Sequence, residues 1–207
     1  MSHTRARDGV SLFVAAAAIA VPFAVQAQAK GQSDRAVNVL MEFAWNTIPR
    51  QFRQPDGEVI TIDRAHKSEV VVPLEKAREI VAVGDRSARA QYCNLPEEQG
   101  ANFQSMMRRE VASDKWSKQQ LVFITLLHAT TVAYLTGTMR LTVEGDGEAG
   151  TEIITKGPVW TEPCTDQLRE EIRSRVLAYV NEAPSIPASR EGLAGQRVEP
   201  VSGTITK

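Results

Sequence analysis

The stretch SKQQLVFITLLHATTVAYLTG, Ser117 to Gly137, constrains the fold more than any other part of this chain. Ser117 and Gln120 form an S-x-x-Q capping box, in which each side chain satisfies a backbone N–H of the first helical turn. Trp116 before the cap and Leu121 after it stand where a hydrophobic staple closes over the same turn. At the far end, Gly137 supplies the left-handed conformation that terminates helices. The run between them carries four threonines and His128, so it reads as a helix of a folded core rather than a membrane span.

Other elements fall into place around this helix. Ser33 or Asp34 caps a helix whose apolar residues Val37, Leu40, Met41, Ala44, Trp45 and Ile48 recur at helical spacing. Pro49 or the turn sequence QPDG, Gln54–Gly57, ends it, and Val59–Ile62 is a short β-type run. His66 lies among charges and reads as a solvated side chain. Pro73 opens a second helix that runs through Leu74, Ala77, Val81, Gly84 and Ala88 to about Tyr92. Asn94 is expected to cap a third helix, with Pro96 in its first turn, Glu97 completing a capping-box variant, and Phe103, Met106, Met107 and Val111 on its buried side.

Only Ser113–Ser117 separates this helix from the next, which predicts an antiparallel αα-hairpin over 96–112 and 118–136. Alternation at Met139, Leu141 and Val143, an acidic break, and Thr151–Thr155 predict a β-hairpin over 138–144 and 151–156. Thr165 or Asp166 caps a fifth helix bearing Leu168, Ile172, Arg175, Val176 and Tyr179 on one side. The expected fold class is therefore mainly α, with about five helices and a small β-hairpin.

The N-terminus is organised differently. Arg5 and Arg7 precede an apolar run, Leu12–Val25, and Ala27-Gln28-Ala29 places small residues where a signal peptidase reads. Residues 1–29 are thus expected to be a cleaved Sec-type signal peptide, residues 30–183 a single helical domain, and residues 184–207 a disordered or loosely packed tail. Cleavage would remove Arg5, Arg7 and Asp8, leaving 22 basic and 24 acidic residues. Charge so close to neutral, without blocks of one sign, gives no attraction to nucleic acid or anionic lipid.

In an oxidising compartment the two cysteines, Cys93 and Cys164, read as a disulfide. They lack the C-x-x-C spacing of redox catalysis.

Few residues invite a functional assignment. His128 shares a helical stripe with Leu121, Ile124, Thr131 and Leu135, so its ring is expected in the core, with Thr125, Thr130 or Thr131 near enough to hold it. As a ligand residue it would line an apolar interhelical pocket together with Tyr134 and Trp116. A zinc site needs three or four ligands, and only His66 and His128 remain after signal removal. Met41, Met106 and Met107 could pair with a histidine on haem, but no C-x-x-C-H attachment motif is present and helical methionines usually fill cores.

Glu144, Asp146 and Glu148 alternate as at the start of a calcium loop, yet Thr155 stands where the bidentate glutamate belongs. No nucleophile elbow, phosphate-binding glycine loop or H-E-x-x-H occurs. The sequence therefore implies no metal, cofactor or catalytic site. It points to an exported accessory or interaction protein of a bacterial-type periplasm, whose partner the sequence does not name. The alternative is a small-ligand binding module with its pocket near His128.

Overall fold

The structure, a computed structural model, describes residues 33–139, 142–144, 151–153 and 159–182. The expected signal peptide, the tail beyond residue 183 and the acidic turn at 145–150 lie outside the described residues. Element order is α1 (Asp34–Thr47), β1 (Gln51–Arg53), β2 (Val59–Thr61), α2 (Lys67–Val70), α3 (Leu74–Tyr92), α4 (Pro96–Ser113), α5 (Lys118–Leu135), β3 (Thr142–Glu144), β4 (Thr151–Ile153) and α6 (Asp166–Asn181). The protein is mainly helical with short antiparallel hairpins, as expected from the sequence.

Local chemistry accounts for most element boundaries. Ser33 caps α1 by accepting from the Ala36 N–H. Both halves of the Ser117–Gln120 box form at the start of α5. Gly137 adopts φ +72° just past the end of α5, with its N–H on the Tyr134 carbonyl. Thr165 caps α6 by accepting from the Leu168 N–H.

The junction between α3 and α4 corrects one expectation. Asn94 does not cap α4. It sits in the left-handed region at φ +57° and closes α3, with its own N–H on the Gln91 carbonyl and the Leu95 N–H on the Ala90 carbonyl. That pairing is a Schellman motif, in which asparagine replaces the usual glycine. The N-cap of α4 is Leu95, which makes no side-chain cap, so the Glu97 capping box does not form either.

Two short elements escaped the sequence reading. β1 pairs with β2 in the register Gln51↔Thr61, Phe52↔Ile60 and Arg53↔Val59. The QPDG turn connects them, with Gly57 at φ +89° and Asp56 Oδ1 accepting from the Glu58 N–H. α2 is a single turn inside the polar segment that follows. Among the described residues the second hairpin pairs Thr142–Glu144 with Thr151–Ile153, inside the 138–144 and 151–156 expected.

The core forms around α5. Eleven of its residues are buried, among them Val122, Phe123, Leu127 and Val132 as well as the expected stripe. A helix apolar all round must be covered all round, and α1, α2, α3 and α4 all pack against it. Its closest approach is to α3, where a Cβ added at Gly84 would lie 2.7 Å from Thr131 Cβ and Cγ2. Glycine at this position lets the two helix backbones meet.

α6 is attached by other means. It buries only Ile172 and Val176. The Cys93–Cys164 disulfide, with Cα atoms 5.4 Å apart, ties the end of α3 to the residue preceding the α6 cap. Arg173 bonds Glu98 at 2.7 Å, and Arg169 donates to the Cys93 carbonyl. No helix among the described residues is long and apolar enough to cross a membrane.

Candidate functional site

His128 is 5% exposed, on the side of α5 that faces α3 and α4. Its partner is not one of the threonines. Thr125 and Thr131 donate back to the Leu121 and Leu127 carbonyls of their own helix, which is the usual fate of hydroxyls at such positions. The His128 Nε2 instead meets Ser87 Oγ of α3 at 2.9 Å. Asn102 of α4 donates to the same hydroxyl at 2.8 Å and to the Val83 carbonyl at 2.9 Å, and Arg86 Nε reaches Asn102 Oδ1 at 3.4 Å.

Ser87 Oγ thus accepts from Asn102 and shares a second hydrogen bond with the His128 ring. Phe103 covers one side of the ring at a centroid distance of 5.0 Å. Burial, aided by the charge of nearby Arg86, depresses the His128 pKa to about 3. The result is a polar relay linking α3, α4 and α5 inside an apolar core, with the imidazole held uncharged.

The other two candidate residues lie on either side of this ring along α5. Trp116 precedes α5 and Tyr134 occupies its last turn, so the helix separates them by roughly 25 Å at 1.5 Å per residue. Trp116 packs against the main core, and its Nε1 donates to Glu110 Oε2 at 2.7 Å. Glu110 is itself buried and also holds Lys76. Tyr134 is half-buried, and burial raises its hydroxyl pKa.

His66 is exposed and pairs with Asp63 Oδ2 at 2.7 Å. The hydrogen bond to Asp63 raises its pKa and lowers that of the carboxylate. Among the described residues, no group of three or more His, Cys, Asp or Glu side chains is placed to hold a metal ion.

Two further features emerge that the sequence did not mark. The first is a half-open cleft of about 380 Å³ over the disulfide, walled by Arg89, Tyr92, Cys93, Trp160, Leu168 and Ile172. Tyr92 and Trp160 meet there at a centroid distance of 5.6 Å, and the Arg89 guanidinium lies 4.9 Å over the Trp160 ring. The Tyr92 hydroxyl fixes the approaching segment by donating to the Glu162 carbonyl at 2.8 Å. No local motif foretells this cleft, because its walls meet only when the disulfide closes.

The second feature is a ring between two cations. Tyr179 of α6 is flanked by Arg86 of α3 at 4.3 Å and Arg109 of α4 at 4.1 Å. Arg109 also donates to the Tyr179 carbonyl at 2.5 Å, and Ser105 Oγ reaches the Val180 carbonyl at 3.5 Å. These bonds serve carbonyls that the last turn of a helix cannot satisfy by itself. Burial raises the Tyr179 pKa, whereas desolvation lowers that of Arg86.

No protein-family model, curated protein or solved structure matches the chain.

Proposed function

We propose that the protein is an exported accessory protein of a bacterial-type periplasm, which acts by docking a partner rather than by turning over a substrate. The observation that carries this reading is the Cys93–Cys164 bridge. Such bonds persist in oxidising compartments and are reduced by cytosolic thiols. The basic, apolar and small-residue sequence of residues 1–29 argues for the same destination. Enclosure of His128 in the Ser87–Asn102 relay favours binding over acid–base chemistry, since proton transfer requires the ring to reach a substrate.

The test is purification from the periplasm followed by intact mass measurement. The expected product begins at Lys30 and is lighter than the reduced chain by its two thiol hydrogens. A chain that keeps residues 1–29, or one recovered reduced from the cytosol, would overturn export. Docking is tested by placing a photo-crosslinking side chain at Leu177, which is 48% exposed on α6. One discrete periplasmic adduct is expected, and its absence there and at exposed Val59 and Val159 would count against docking.

A second reading, a small-ligand binding module, is favoured by the cleft over the disulfide rather than by the surroundings of His128. Its volume and its aromatic and apolar walls suit a small, largely apolar molecule. Saturable binding of an apolar dye that Trp160→Ala abolishes would support this reading, and dye binding indifferent to that change would end it.

A further inference from the structure

Arg86, Arg108 and Arg109 converge on the last turn of α6 without a matching set of carboxylates. Elsewhere in the described residues five arginines meet acids, Arg78 with Asp34, Arg89 with Asp85, Arg169 with Asp166, Arg173 with Glu98 and Arg175 with Glu171, whereas Arg53 and Arg64 serve backbone carbonyls. Arg86 and Arg108 form no ion pair with any described residue, and Arg109 has only the exposed Glu182 at 4.0 Å. The nearby Glu110 is already engaged by Lys76 and Trp116.

All three arginines are partly buried, so water screens their charges incompletely. The Arg109 Nε is enclosed without an acceptor among the described residues. Holding α6 explains part of this arrangement, since Arg109 serves the Tyr179 carbonyl and the two guanidinium groups grip the ring. That role needs cation–π contact and one carbonyl bond. It does not need a third arginine, and the nearby acids Asp85 and Glu110 are already paired with Arg89 and Lys76.

We infer that Arg86, Arg108 and Arg109, with Tyr179 as a stacking platform, form a binding site for an oxyanion, the carboxylate or phosphate group of a ligand. The stacking fixes the Arg86 guanidinium plane against Tyr179, and Asn102 Oδ1 occupies its Nε. The Tyr179 hydroxyl also engages this guanidinium, and its remaining terminal N–H groups can donate to a carboxylate or phosphate oxygen. Arg108 engages only Ser105 Oγ through one nitrogen and keeps further donors for the same anion. A bound oxyanion would relieve the repulsion between Arg86 and Arg109.

The experiment is an NMR titration of the intact disulfide-bonded protein at low salt, with sodium succinate in one arm and inorganic phosphate in the other. Sodium chloride at equal ionic strength is the control. Saturable shifts centred on Arg86, Arg108 and Tyr179 are expected with at least one oxyanion and not with chloride. Tighter succinate binding identifies a carboxylate ligand, tighter phosphate binding a phosphorylated one, and either supports the site. Arg86→Gln and Arg108→Gln are each expected to weaken binding about tenfold, the loss of one charge-assisted pair.

Should Arg86→Gln loosen α6, Arg108→Gln decides, because Arg108 touches no part of the Tyr179 stack. Failure of both oxyanions to saturate below about 10 mM, an affinity weaker than ~3 kcal/mol, would overturn the site. So would binding to the folded Arg108→Gln protein that equals wild type.

Discussion

α5 and α6 are helices of similar length, held in the molecule by different forces. α5 is buried on every side and kept in place by side-chain packing, with one polar relay through His128. α6 buries two residues and is fastened by a disulfide, by ion pairs at Arg173 and by the arginine grip on Tyr179. Packing responds mainly to lost volume, whereas the α6 attachments respond to reductant, salt and acid. The lesson is that one small domain can combine a permanent core with an element whose attachment depends on its surroundings.

The sharpest way to break this contrast is to remove volume from α5. Phe123 is fully buried, so Phe123→Ala is expected to cost about 3–5 kcal/mol and to lower the melting temperature of the whole domain. A loss confined to one helix, measured by hydrogen exchange, would deny α5 its central role.

Reduction of Cys93–Cys164 should cost nearly as much, roughly 4 kcal/mol, because the bond closes a loop between residues 71 apart in sequence. Its signature should differ. Amides of α6 should exchange first and those of α5 last, and equal acceleration in both would erase the distinction.

Acid probes the relay. The folded His128 pKa lies below its unfolded value of about 6.5, so between roughly pH 6.5 and 3 the unfolded chain binds the extra proton. The stability is fully present above pH 6.5 and is lost as pH falls toward 3, by up to about 4 kcal/mol. His128→Leu should flatten that part of the pH profile. It should also cost roughly 1–3 kcal/mol at neutral pH, since Ser87 loses its partner. Unchanged acid sensitivity in the variant would assign the effect to other groups.

Gly84→Ala should destabilise by about 1–3 kcal/mol, because the new methyl group meets the Thr131 side chain. The helix propensity gained opposes this by about 1 kcal/mol. Gly84→Ala with Thr131→Ser, which removes Cγ2, should recover part of the loss. The smallest effect is expected from Arg173→Ala, a slight fall in melting temperature that added salt reduces further, as suits a part-exposed pair. Arg173 holds the Glu98 pKa below its usual value, so this contribution is present above the ordinary carboxylate range and fades as pH falls through it.

Much of this was legible from local chemistry. The Ser117–Gln120 box, Gly137 and the caps at Ser33 and Thr165 each act within a few residues, and each formed where the spacing placed it. Asn94 was misjudged because asparagine serves both helix starts and left-handed helix ends. Only the following Leu95-Pro96, docked by the Leu95 N–H on Ala90, settles which. β1 was invisible because a three-residue strand is specified by its partner, not by its own periodicity.

The candidate sites followed the same division. The sequence by itself determined the long helices and the burial of His128, because periodicity and capping are properties of neighbouring residues. Tertiary structure alone decided that Ser87 and Asn102 hold His128 and that Arg86 and Arg109 flank Tyr179. Those contacts join residues 15 to 93 positions apart, and no local pattern encodes which helix faces will meet.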